Sequence, residues 1–165
     1  ADLTMAPTDD VVEMLQREGF ENVRLLGRGV DTELFHPRRR DTDLRASWGA
    51  RDESPVAVVV GRVAAEKNLA LAMQAFRKMK DSMPDLRCVV IGDGPILEKL
   101  QSENPGVHFV GMKVNEDLAR HYPSADILLF PSETETSGNV LREGLASGLV
   151  TVCYDYAASA RAHVT

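Results

Sequence analysis

At 165 residues the chain is long enough to bury a core of its own without disulfides or a structural metal, and it fits one ordinary domain. Hydrophobic residues make up 44% and charged residues 27%, a globular balance that excludes a disordered, collagenous or low-complexity chain. Nineteen Lys and Arg against 25 Asp and Glu give a net charge of -6, the wrong sign for tracking a nucleic-acid backbone, so nucleic acid is not an expected partner.

Along the chain, Asp9 to Glu18 places Val12, Leu15 and the neighbouring Val11 and Met14 at helical spacing, with Thr8 set to cap the helix and Gly19 to end it. Val23 to Leu26 reads as a short strand. A turn-rich loop, Gly27-Arg28-Gly29-Val30-Asp31, then leads to His36-Pro37, and Asp43 to Trp48, closed by Gly49, suits a short helix. From Val56 the order becomes regular. Strand Val56 to Val60 is followed by a polar loop and a helix from Leu69 to Met79. Strand Cys88 to Ile91 is followed by Gly92-Asp93-Gly94 and a helix from Pro95 to about Ser102. Strand Val107 to Val110 leads to a helix from Glu116 to Tyr122 with Asn115 as cap, and strand Asp126 to Phe130 to a helix from about Gly138 to Ser147. Leu149 to Cys153 closes the series.

These five strands are continuously apolar rather than alternating, which means that both faces of the sheet are covered. Strand and helix alternate, which implies right-handed crossovers between parallel strands. The expectation is a doubly wound, mostly parallel α/β sheet with helices on both faces. Ligands in such sheets bind at the carboxyl ends of the strands, so the chemistry is sought in the loops after Val60, Ile91, Val110 and Phe130. No apolar run approaches the ~20 residues that span a bilayer, and Ala1 to Thr4 lacks the regions of a signal peptide; a cytoplasmic protein is expected.

The loop after Val60 carries Arg62 and Lys67, two cations at the mouth of the sheet that suit a diphosphate: a guanidinium grips two oxygens at once and an ammonium adds a mobile charge. On charge alone, a solvated loop is the plainer reading. The loop after Phe130, from Pro131 to Asn139, crowds small and polar residues at a helix start, where free N–H groups and the helix dipole favour an anionic oxygen. Gly138 allows close approach there; a capped helix explains the same residues equally well. Glu135 and Glu143 stand roughly 12 Å apart along a helical axis. Acid and base carboxyls of a glycosidase lie about 5 to 9.5 Å apart, which disfavours a hydrolytic pair. Two separated carboxylates can instead accept hydrogen bonds from two sets of ligand hydroxyls.

Other signals carry less. Cys88 and Cys153 fall in apolar runs and read as core residues, and His36, His108, His121 and His163 are scattered singly, so no metal cluster is expected. Asp41-Thr42-Asp43 reads as a helix cap rather than a metal motif, and Arg38 to Arg40 as a solvated charged loop rather than a lipid-headgroup contact. Gly92-Asp93-Gly94 lacks the third glycine of a dinucleotide fingerprint, Leu97 standing in its place, which disfavours NAD. Ser147 is not set in a nucleophile elbow.

Glu135 to Glu143, a glutamate pair with seven residues between, is preceded by Phe130-Pro131-Ser132 and followed by Ala146-Ser147-Gly148. With Gly29-Val30-Asp31 and Phe35, Gly61-Arg62 to Glu66-Lys67-Asn68, and Gly92-Asp93-Gly94-Pro95, the chain resembles the retaining glycosyltransferases of family 4 over nearly its whole length. That family has the GT-B fold of two Rossmann-like domains. The resemblance implies a single nucleotide-sugar-binding domain over 1–165, with 1–22 connecting from an N-terminal acceptor domain. It implies a UDP- or GDP-linked sugar as substrate, no cofactor or metal, and an unidentified lipid or saccharide acceptor, with peripheral membrane attachment open for the full-length protein. Carried over by position, Arg62 and Lys67 neutralise the diphosphate and its developing charge, Glu143 holds the ribose, and Glu135 contacts the donor sugar. The backbone N–H groups of Ser137, Gly138, Asn139 and Val140 meet phosphate or sugar, and Met112 beside Gly111 borders the base. Ser137, Gly144 and Val150 depart from the family's usual aromatic residue, Ala and Pro. The resemblance implies an isolated domain that binds nucleotide but turns over poorly; the alternative is a non-catalytic nucleotide-binding or regulatory module on the same scaffold.

Overall fold

The computed structural model describes residues 3–132 and 138–154. Strands β1 (Thr4–Ala6) and β2 (Val23–Leu25) pair in parallel around helix α1 (Asp9–Arg17) and form a small sheet of their own. After α2 (Thr42–Ser47) comes the main series: β3 (Val56–Val60), α3 (Leu69–Ser82), β4 (Arg87–Ile91), α4 (Leu97–Glu103), β5 (His108–Phe109), α5 (Asn115–His121), β6 (Ile127–Phe130), α6 (Asn139–Ala146) and β7 (Val150–Cys153). Its five strands lie in the order β5-β4-β3-β6-β7, all parallel. The chain runs outward from β3 through β4 to β5, then returns to the other side of β3 as β6. The resulting switch point between β3 and β6 is where open α/β sheets leave a crevice for ligands.

The strand alternation divides the core into two layers. Val56, Val58, Val89, Ile91, Leu128 and Phe130 face Trp48, Ala119, Tyr122 and Leu141 on one side of the sheet. Ala57, Val59, Cys88, Val90 and Leu129 face Leu69, Ala72, Met73, Phe76 and Leu100 on the other. Both faces are covered, as the continuous apolar strands require. Cys88 is a core residue, its thiol pushed up to about 11 by burial. Cys153 lies half-buried on edge strand β7; β3 and β6 separate it from Cys88 by roughly 14 Å of sheet, beyond disulfide reach.

Several local expectations change. β1 has only three residues, too few for a hydrophobic period to register. Thr8 stands at the N-cap of α1 but makes no side-chain capping bond, and α1 buries none of its residues. α4 starts at Leu97 rather than Pro95, because Gly94 to Leu97 closes a turn first (Leu97 N–H to Gly94 O, 3.1 Å). Asn115 is the first residue of α5, at φ 47°, and Val114 takes the cap position. Asp41 does cap α2, its Oδ1 accepting from the Leu44 N–H at 2.9 Å.

The arginine run is exposed at Arg38 and Arg40, as a solvated charged stretch implies, but Pro37–Arg39 forms a single 3-10 turn and all three side chains are paired. Arg38 pairs with Glu33 at 2.5 Å, Arg39 with Glu116, and Arg40 donates to the Pro123 and Ala125 carbonyls and to Asp126 Oδ1 at 2.7 Å. Buried Arg45 reaches the other oxygen of Asp126 at 3.2 Å and the Ser124 and Ser54 carbonyls. This knot ties α2 to the amino ends of β3 and β6, at the end of the sheet away from the ligand-binding loops.

Candidate functional site

Past the carboxyl ends of β3, β4 and β5 the backbone stays zipped together. The Gly61 N–H donates to Ile91 O (3.0 Å), the Val63 N–H to Asp93 O (2.8 Å), and the Gly92 N–H to Gly111 O (2.9 Å). Two glycines permit this approach. A Cβ on Gly92, at φ 148°, would run into the Gly61 carbonyl, and one on Gly94 into that of Val63. Gly92-Asp93-Gly94 therefore works as a steric device that lets three loops form one rim.

Behind that rim lies a cleft of ≈ 340 Å³, bounded by the ends of β3, β4 and β5 on one side and by α6 on the other. Arg62, Met112, Val140 and Glu143 line it, together with Asp93 and Lys113. Arg62 also borders a smaller adjoining hollow at the switch point, which it shares with Lys67, Phe130, Pro131 and Ser132. The two expected cations thus sit on linked hollows, with Arg62 on both. The Arg62 side chain is 66% exposed, and its guanidinium pairs with Glu66 at 3.3 Å. An exposed pair of this kind is worth about 0 to 1 kcal/mol, so a doubly charged diphosphate can displace it.

Gly138 caps α6 in the left-handed region, at φ 57° and ψ 38°. Its carbonyl accepts from the N–H groups of Leu141 (3.0 Å) and Arg142 (3.3 Å), while Asn139 and Val140, the first helical residues, have no intrahelical acceptor for theirs. Asn139 Oδ1 is buried and has no hydrogen-bond partner among the described residues. Met112, 68% exposed, stands on the rim. Glu135 and Ser137 lie outside the described residues.

Glu143 projects from the second turn of α6 into the cleft. Burial raises its carboxyl above the ordinary value, and a hydrogen bond from Tyr122 Oη to its Oε2, at 2.9 Å, works in the opposite direction. Tyr122 is fully buried. Burial, then the neighbouring Glu143 charge, holds its phenol well above the usual range, so it remains a donor. Sequence reasoning missed Tyr122, and it also missed Lys113 and Asp93 as cleft residues. Tyr122 stands at the end of a helix 21 residues before Glu143, and nothing in spacing joins the two. Among the described residues, no three His, Cys, Asp or Glu side chains group as metal ligands.

The sequence pattern of the family described as Glycosyl transferases group 1 matches residues 40–164. The sulfoquinovosyl transferase SQD2 of Arabidopsis thaliana is 37% identical over 159 residues, covering 92% of this chain and 30% of that protein. A GDP-mannose-dependent alpha-mannosyltransferase of Corynebacterium glutamicum is 35% identical over 150 residues, covering 90% of this chain and 35% of the relative. The chain spans about a third of the length of these curated relatives. In fold it is similar to Anabaena Alr3699/HepE, solved in complex with UDP and glucose, at a TM-score of 0.81, 17% identity, and coverage of 98% of this chain and 46% of that one. The chain belongs to the glycosyl transferases group 1 family and has the Rossmann-like α/β fold of one half of a GT-B glycosyltransferase.

Proposed function

We propose that this chain is the donor-binding domain of a retaining glycosyltransferase that takes a UDP- or GDP-linked sugar and passes the sugar to a lipid or saccharide acceptor. The observation that carries the reading is the convergence of Arg62, the start of α6 and Glu143 on one ≈ 340 Å³ cleft at the carboxyl ends of parallel strands. Arg62 and Lys67 take the charge of the diphosphate and of its departure, which asks for no metal or other cofactor. The N–H groups at the start of α6, from Ser137 through Gly138 and Asn139 to Val140, receive a phosphate or sugar oxygen. Glu143 accepts from the ribose hydroxyls, Met112 borders the base, and Glu135 contacts the donor sugar.

The sulfoquinovosyl and mannosyl relatives named above support transfer of a sugar, and the UDP and glucose bound to the Anabaena protein support a nucleotide-linked donor. In this reading residues 1–22, with β1 and α1, connect from a preceding acceptor domain. Leu3, Met5, Met14 and Phe20 of that stretch are exposed apolar residues of the sort such a domain covers. The isolated chain then binds nucleotide without efficient turnover.

Titration calorimetry with UDP and GDP on the wild type, Arg62→Ala and Glu143→Ala tests the assignment. Each substitution is expected to weaken binding by about tenfold, the scale of one charge-assisted hydrogen bond. Equal affinity in all three proteins contradicts it.

A further inference from the structure

Within the donor-site reading, on which this inference rests, we infer that Tyr122 is the positioning residue for Glu143, and that the Asp31 to Phe35 turn exists to hold Tyr122 in place. None of residues 29–35 lines the cleft, and the role of this motif follows from what it packs against. Asp31 Oδ1 accepts from the N–H groups of Glu33 and Leu34, both at 3.0 Å, and the Phe35 N–H returns to Asp31 O at 2.8 Å. This closed turn drives Phe35 into the core, where its ring meets that of Tyr122 edge to face, with centroids 5.7 Å apart and planes at 80°.

Tyr122 is thereby fixed from behind. Its ring is buried among apolar residues of the layer that includes Val58, Ile91 and Leu141, and its hydroxyl, carried on the last turn of α5, reaches across to α6. A buried phenol needs a hydrogen-bond partner, and this one has Glu143. The bond occupies Oε2. That bond restrains the carboxylate and leaves Oε1 to accept from a ligand hydroxyl.

The same bond also opposes the effect of burial on the carboxyl, which stays above its ordinary value. Burial alone favours a protonated Glu143, which would be a poorer acceptor, and the phenol donation offsets part of that pressure. The other charged groups lining the cleft are Arg62 from the loop after β3, Asp93 from the loop after β4 and Lys113 from the loop after β5. Tyr122 differs from all three in pointing at the carboxylate from the core side, where solvent does not screen it.

The test uses Tyr122→Phe, which keeps the ring and removes only the donor, with a nucleotide sugar as probe, UDP-glucose or GDP-mannose, whose phosphates do not titrate in the carboxylate range. Calorimetry as a function of pH is expected to show affinity lowered by about tenfold and its acid midpoint moved upward. The loss is expected to vanish in a Glu143→Ala background, where no side-chain acceptor remains for the phenol; additive losses, the mark of a general structural role, overturn the inference. Wild-type affinity and midpoint in Tyr122→Phe, beside weakened Glu143→Ala, overturn it while leaving the donor site standing. Unchanged affinity in Glu143→Ala itself contradicts the donor-site reading, and the inference falls with it. A measurement on proteins that retain the phenol covers any folding defect: the tyrosine ultraviolet difference spectrum of the wild type is expected to change across the Glu143 titration and that of Glu143→Gln is not. Identical spectral titrations overturn the inference.

Discussion

Asp126 shows how much a single side chain can organise. Its carboxylate accepts from Arg40, from buried Arg45 and from the Val56 N–H (2.8 Å), while its backbone bonds Val56 O and the Val150 N–H. Burial works against its charge, yet the Arg40 hydrogen bond, the Val56 N–H and the arginine charges hold its carboxyl below the usual carboxylate range. A depressed carboxyl contributes stability that is complete above its unfolded value of about 3.9 and is lost as pH falls through the folded one. Asp126→Asn is expected to cost about 2 kcal/mol in denaturant unfolding near neutral pH, because Arg45 is left without its charge partner. Its stability should also fall less steeply than that of the wild type under acid; equal slopes would place the acid sensitivity elsewhere. None of this knot is legible in the sequence. Arg40 and Arg45 precede Asp126 by 86 and 81 residues, and a run of three arginines reads naturally as a solvated loop.

At the scale of elements, the main series was readable because strands covered on both faces leave continuous apolar runs, and because five of them alternate with helices. What spacing cannot give is how closely two elements approach, and α6 illustrates it. Gly144 looks like a defect in that helix, weaker than Ala by about 1 kcal/mol in propensity. In the structure it is buried against β6, where an added Cβ would come 2.5 Å from Leu128 Cδ2, and Leu128 is fully buried. The glycine lets α6, and with it Glu143, settle onto the sheet. Overpacking of this kind costs about 1 to 3 kcal/mol, more than the propensity gain. Gly144→Ala is therefore expected to lower thermal stability, and Leu128→Val to restore part of the loss in the double variant; a Gly144→Ala protein more stable than wild type contradicts this account of the packing.

For the whole molecule, the candidate site is the joint product of topology and a few side chains. The rule that ligands bind at carboxyl strand ends located the loops carrying Arg62, Lys67 and Met112 from the sequence, and the structure brings Arg62, Met112, Val140 and Glu143 onto one cleft. Tyr122 escaped that reading because its contact with Glu143 exists only once α5 and α6 pack on the same face of the sheet. The molecule also offers a competing polar cleft of ≈ 370 Å³ beside edge strand β5, lined by His108, Lys113, Arg120 and His121. Its lysine and arginine are already matched, since Asp117 pairs with Lys113 and Arg120 and Asp41 with Arg120, while burial holds the His121 imidazole below its ordinary value. A diphosphate gains less there than beside Arg62, whose pair with Glu66 is exposed and weak. The most direct measurement is a crystal structure of the protein with a bound nucleoside diphosphate sugar. The account predicts the diphosphate between Arg62, Lys67 and the first turn of α6, with the ribose on Glu143; a nucleotide seated in the β5-edge cleft, or one whose phosphates touch neither cation, would contradict it.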